Sequence, residues 1–188
     1  QVLNEQGKYK EAIPIAQVVI DDLTYPNPEK PLITQGISNF KLGQYQPAQN
    51  LFSKALKIQR DNCLANTYLG RCYYEKKQYK QAAESLDQAA SFCQKMQFDE
   101  PQYYSGLAYY QLGEKEKATH RLEQLIKLYP QGQYSDKSKI LLRVSGEICG
   151  ALRPVYITCS SFRRRPGSIA SFYRSICGVG AESRYKKE

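Results

Sequence analysis

Only one histidine, His120, and no Cys-x-x-Cys pair occur in this chain of 188 residues. A structural zinc site needs a set of closely spaced thiolate or imidazole ligands, so none is expected. With one histidine, a nucleophile–base–acid arrangement could be built only around His120, and no nucleophile motif accompanies it. A phosphate-cradling Gly-x-x-x-x-Gly-Lys loop is missing too. The sequence therefore predicts a non-enzymatic protein without a cofactor or small-molecule substrate. No apolar run approaches the ~18 residues of a membrane-crossing helix. No secretory signal is legible at Gln1, where the chain opens inside an ongoing pattern, so an upstream segment is expected.

Charge of one sign is also scarce over most of the chain. The net charge is +9, but residues 144–188 hold eight of the 27 bases and only three of the 18 acids. The body, 1–143, is thus only weakly basic, a poor footprint for nucleic acid. Six cysteines stand at 63, 72, 93, 149, 159 and 177. Three in the body is an odd number, read here as buried apolar filler with no disulfide framework.

What is present is a repeat. Shifting the chain by 34 residues lays Gly36 on Gly70, Tyr45 on Tyr79, Ala48 on Ala82, Phe52 on Leu86 and Ala55 on Ala89. A further 36 lays Gly70 on Gly106, Tyr73 on Tyr109, Ala82 on Ala118 and Leu86 on Leu122. Gly43 meets Gly113 across both shifts, and Gly7, Tyr9 and Ala12 lie 36 before Gly43, Tyr45 and Ala48. Small residues permit close helix crossing, glycine closes a helix in the left-handed region, and large apolar residues fill the layer between units. A single such unit cannot bury its apolar face, so the units must stack.

This pattern resembles the tetratricopeptide repeat, an antiparallel helix pair of 34 residues. The resemblance implies an all-α solenoid of helical hairpins over 1–143. Its parts are helix B of a truncated repeat at about 8–23, full repeats at 29–62, 63–98 and 99–132, and a capping helix at 133–143 with Ser135 or Asp136 as N-cap. Pro14 and Pro47 fall near helix B starts, where a missing N–H costs little. A chain starting in mid-repeat would expose Val18, Val19 and Leu23 and promote self-association.

In this family helix A lines an inner groove. The positions implied here are Lys30, Ile33, Ile37 and Phe40, then Leu64, Thr67, Arg71 and Tyr74, then Glu100, Tyr103, Leu107 and Tyr110. That surface reads as apolar and aromatic with one base and one acid at its rim, suited to a polypeptide that docks side chains. Co-chaperone members grip a C-terminal carboxylate with Lys and Asn; here those slots hold Ile33, Ile37, Tyr68, Glu100 and Tyr104, so that clamp is absent. Replacing Tyr74 and Tyr110 with Ala is expected to weaken partner binding while leaving the helical signal intact.

The turn Tyr25-Pro26-Asn27-Pro28-Glu29 adds a narrower resemblance, to the pilotins, the lipoproteins of type IV pilus biogenesis. Its prolines hold the flanking residues out of helix and set the offset between repeats. This likeness implies a lipid-anchored factor on the periplasmic face of the bacterial outer membrane. Such a factor binds a secretin subunit and assists its assembly. A scaffold for another cytoplasmic or periplasmic complex is the alternative. The segment 144–188 carries six Arg and two Lys, against four Arg and 15 Lys before it. It reads as an irregular basic tail, and the abrupt switch raises the expectation of a segment outside the natural reading frame. Nucleic-acid binding through its arginines is the remaining alternative.

Overall fold

The computed structural model describes residues 1–144, and these are helical. The helices are α1 (Val2–Glu5), α2 (Tyr9–Asp21), α3 (Glu29–Lys41), α4 (Tyr45–Ile58) and α5 (Cys63–Glu75). They continue as α6 (Tyr79–Cys93), a 3-10 turn (Gln94–Met96), α7 (Glu100–Gln111), α8 (Lys115–Leu128) and α9 (Ser135–Val144). Each packs against its chain neighbours: α3 with α4, α5 with α6 and α7 with α8 as hairpins, and α4 with α5 and α6 with α7 between them. This is the all-α hairpin solenoid. Among the described residues no helix is long and apolar enough to cross a membrane. The expected basic tail, with its arginine cluster, lies outside the described residues apart from Val144, which belongs to α9.

The repeated small residues serve the helix crossings. Ala48, Ala82 and Ala118 are 0%, 0% and 2% exposed, so no solvent enters where the hairpins cross. Gly70 shows how tight the contact is. A Cβ there would lie 2.6 Å from Leu86 Cγ, and Gly36 and Gly106 stand in the same relation to Phe52 and Leu122. Gly70→Ala is therefore expected to cost roughly 1–3 kcal/mol through overpacking. Urea denaturation checks this, and the double variant Gly70→Ala/Leu86→Ala should lose less than the sum of the singles.

The turns inside the hairpins repeat a second device. Gly43 sits at φ +76°, with its N–H on Phe40 O at 3.0 Å and the Gln44 N–H on Asn39 O at 2.9 Å. The equivalent place in the next hairpin is Lys77, at φ 60°, with the same two bonds to Tyr74 O and Tyr73 O. A side chain there pays for its Cβ in the left-handed region. Lys77→Gly is expected to raise stability by roughly 0.5–1 kcal/mol, read as a higher thermal midpoint.

Four local expectations are corrected. Cys63 and Cys93 form a disulfide, S–S 2.07 Å, with Cα atoms 4.9 Å apart. Cys63 opens α5 and Cys93 closes α6, and antiparallel pairing brings these ends together across 30 residues of sequence. Pro14 lies inside α2, because that helix begins already at Tyr9. Neither Ser135 nor Asp136 caps α9. Ser135 is its first helical residue, with a buried hydroxyl that lacks a partner, and Asp136 pairs with Lys139 at 2.9 Å. Finally, α1 precedes α2 and ties itself to α3: Ser38 Oγ donates to Asn4 Oδ1 at 2.6 Å, and Asn4 Nδ2 donates to Thr34 O at 2.9 Å.

Candidate functional site

Helix A of each hairpin (α3, α5, α7) presents aromatic side chains that touch from one repeat to the next. Phe40 meets Tyr45 at 5.4 Å and Tyr68 at 5.3 Å between ring centroids. Tyr74 meets Tyr79 at 5.5 Å and Tyr104 at 5.7 Å. Tyr103 contacts Tyr104 and stacks on Tyr134 at 4.7 Å. The spacing explains the continuity, because Tyr68 and Tyr104 occupy the same slot of successive repeats.

Arg71 joins the two halves of this spine. Its guanidinium carbon lies 4.5 Å from the Phe40 ring centroid, 4.5 Å from that of Tyr104 and 5.4 Å from that of Tyr68. Arg71 NH1 donates to Glu100 Oε1 at 2.5 Å, and the side chains are only 12% and 9% exposed. Burial, with the Glu100 carboxylate nearby, pushes the Tyr134 phenol up. A planar cation between two ring faces is favourable, more so when desolvated. Its Nε remains buried without a partner. The arrangement ties α3, α5, α7 and the segment leading into α9 at one point.

The predicted groove residues separate into two groups. Lys30 is exposed, Leu64 is 37% exposed, and Ile37, Arg71, Tyr74 and Tyr110 are half-buried. Ile33, Phe40, Thr67, Glu100, Tyr103 and Leu107 are buried. Thr67 is the clearest departure. It is 0% exposed, donates to Cys63 O at 2.8 Å and lies 3.5 Å from Cys93 Sγ, so it belongs to the hairpin interior. Tyr68 and Tyr104, which stand in the co-chaperone clamp slots, complete the spine together with Tyr134, which the groove positions do not include. A 36-residue spacing relates Tyr68 to Tyr104 in the sequence; Tyr134 precedes a helix outside the repeat register.

Burial shapes the titration of this cluster. Desolvation pushes the Tyr103 phenol from 10.0 up to about 12 and raises Tyr74, Tyr134, Tyr104 and Tyr68 as well. The folded state holds these protons more tightly than the unfolded chain. Stability is therefore full below the unfolded value near 10.0 and is lost as pH rises from there through about 12. A thermal midpoint that falls over that window, in step with phenolate absorbance, is the expected result. Burial also pushes the Cys72 thiol up to about 12, which leaves it unreactive at neutral pH.

A second polar cluster joins α6, α7 and α8. Asp87 accepts from Ser105 Oγ at 2.5 Å and Tyr109 OH at 2.8 Å and pairs with Arg121 at 2.7 Å. The adjoining cavity of about 400 Å³ is lined by Tyr109, Glu116, Lys117, His120 and Arg121. Lys117 pairs with Glu114 at 2.6 Å, so both fixed cations of this face are already engaged. At the other end, Val18 of α2 is 71% exposed and Leu23, just after that helix, 97%, while Val19 lines a cavity of about 200 Å³ with Ala12 and Ala16. Among the described residues no group of His, Cys, Asp or Glu is placed to hold a metal ion.

A tetratricopeptide repeat model matches residues 39–106, and a second one matches 102–132. No curated protein matches the chain. Among solved structures, MamA from Desulfovibrio magneticus RS-1, residues 41 to the end, is 24% identical, with a TM-score of 0.64. That match covers 78% of this chain and 81% of that one. The Sgt2 repeat domain from Aspergillus fumigatus is 18% identical over 77% of this chain and 93% of its own, TM-score 0.57. The first repeat domain of Spaghetti (RPAP3), bound to the HSP90 peptide SRMEEVD, is 18% identical over 63% and 93%, TM-score 0.55. At these identities the likeness is one of fold.

Proposed function

Because residues 39–132 are tetratricopeptide repeats, we propose that this protein is a scaffold of the pilotin kind, binding a polypeptide along helices α3, α5 and α7. The observation that carries the reading is the aromatic spine from Phe40 through Arg71 to Tyr134, bordered by the half-buried Ile37, Tyr74 and Tyr110. A half-buried ring such as Tyr74, held by Tyr79 and Tyr104, loses little entropy on binding and serves as an anchor. Arg71, the cation of this spine, is already neutralised by Glu100. A guest that docks apolar side chains suits this surface better than one that brings a terminal carboxylate.

The narrower assignment, a secretin subunit as the guest, draws support from the Tyr25-Pro26-Asn27-Pro28-Glu29 turn. Asn27 O accepts from the Lys30 N–H at 3.0 Å there, so the turn leads directly into α3. The Cys63–Cys93 disulfide supports a location outside the reducing cytosol, such as the periplasmic face of the outer membrane.

Fluorescence-anisotropy titration with overlapping peptides tiled from a type IV pilus secretin tests the proposal. One or more tiles are expected to bind, and Tyr74→Ala/Tyr110→Ala is expected to weaken them at least ~10-fold, one good anchor's worth. The peptide SRMEEVD is expected not to bind. Tight binding of SRMEEVD, or tile binding indifferent to the double variant, would remove this reading.

A further inference from the structure

The two edges of the solenoid differ. At one edge each hairpin turns from helix A to helix B, through Leu42–Gln44, Lys76–Gln78 and Leu112–Glu114. Its exposed large apolar side chain is Leu112, at 37%. At the other edge each helix B stops and the next helix A begins. Leu23 there is 97% exposed, Ile58 52%, Leu64 37%, Phe92 40%, Met96 62% and Leu128 45%. Six of the eleven exposed large apolar side chains of the described residues thus fall on this one edge. Ile58, Phe92 and Leu128 share a single repeat position, 34 and 36 residues apart, so they recur once per repeat along it.

Cations accompany these apolar side chains. Lys57, Arg60, Lys95 and Lys127 are exposed beside them, and none of the four joins an ion pair among the described residues. From Ile58 onward the exposed acids of this edge are Asp61 and Asp136, the latter paired with Lys139; Asp99 and Glu100 are buried. At the first turn, Asp21, Asp22 and Lys30 are all exposed.

We propose that this edge rests on an anionic lipid bilayer. Separate apolar side chains standing in a row, with long basic side chains between them, fit an interface of acyl chains and phosphate headgroups. Lys and Arg stems lie along apolar surface while their charged ends stay among the headgroups. Each unpaired base near an anionic leaflet adds attraction that salt screens. Leu64 is shared with the groove positions, but Phe92, Lys95, Met96 and Lys127 are not, so this inference stands whether or not the groove reading does.

Co-sedimentation of the full chain with phosphatidylcholine vesicles, with and without phosphatidylglycerol, tests it. Binding is expected with phosphatidylglycerol, to weaken as salt rises, and to be slight without it. Lys95→Glu/Lys127→Glu is expected to reduce vesicle affinity at least ~10-fold, and Phe92→Ser/Met96→Ser by a similar factor. All four side chains are exposed, so far-UV circular dichroism should remain that of the parent. Met96→Trp supplies a reporter whose emission shifts to the blue on the anionic vesicles. Undiminished binding by both double variants would assign the affinity to the basic tail and overturn the proposal. So would no vesicle binding at all, or edge variants that alter self-association in sedimentation velocity without altering vesicle binding.

Discussion

Glu100→Ala is expected to lower the unfolding free energy by about 3–5 kcal/mol, the cost of stranding one member of a buried ion pair. Arg71 and Glu100 are 12% and 9% exposed, so water does little to replace the lost partner. Arg71 Nε already lacks an acceptor, and the rings of Phe40 and Tyr104 offer faces but no lone pairs. The double variant Arg71→Met/Glu100→Leu should recover most of the loss, because neither charge then remains to be desolvated. Chemical denaturation of the two singles and the double decides the matter. A double variant as weak as Glu100→Ala would show that the pair itself, not the stranded charge, supplies the stability.

Removing the Cys63–Cys93 disulfide, as Cys63→Ala/Cys93→Ala, is expected to cost about 3–4 kcal/mol. The bond closes a loop with a sequence separation of 30, and the unfolded chain without it regains that loop's entropy. For a chain of this size the loss corresponds to a midpoint lower by about 10 °C. Peptide mapping should first recover the two cysteines in one linked pair that separates on reduction. An oxidised parent and a double-Ala variant with equal midpoints would contradict the expectation. Since Cys63 is 4% and Cys93 0% exposed, the bond is shielded from external thiols until α5 and α6 separate. It acts as a permanent fastening of that hairpin.

Much of the fold was legible before any coordinates. The recurrence of Gly36, Gly70 and Gly106 against Phe52, Leu86 and Leu122 specified hairpins, their register and their stacking, because a missing Cβ on one helix and a bulky side chain on the next record one crossing. Gly43 and Gly113 marked the turns for a similar reason. The candidate groove was legible only in outline. Counting positions along helix A gave Ile37, Arg71, Tyr74 and Tyr110, which keep some exposure, but also Thr67 and Tyr103, which the packing covers.

Periodicity alone determined which residues share a helix face, where the turns fall and that the units stack; each of these is a short-range property of side-chain size and backbone freedom. Tertiary structure decided how far each helix A rotates against its neighbours. On that rotation depend the enclosure of Arg71 by rings from three repeats, the meeting of Cys63 with Cys93 and the disappearance of Thr67 into the interior. A repeat count does not contain the angle between helices, because that angle is set by the sum of many contacts from distant parts of the chain.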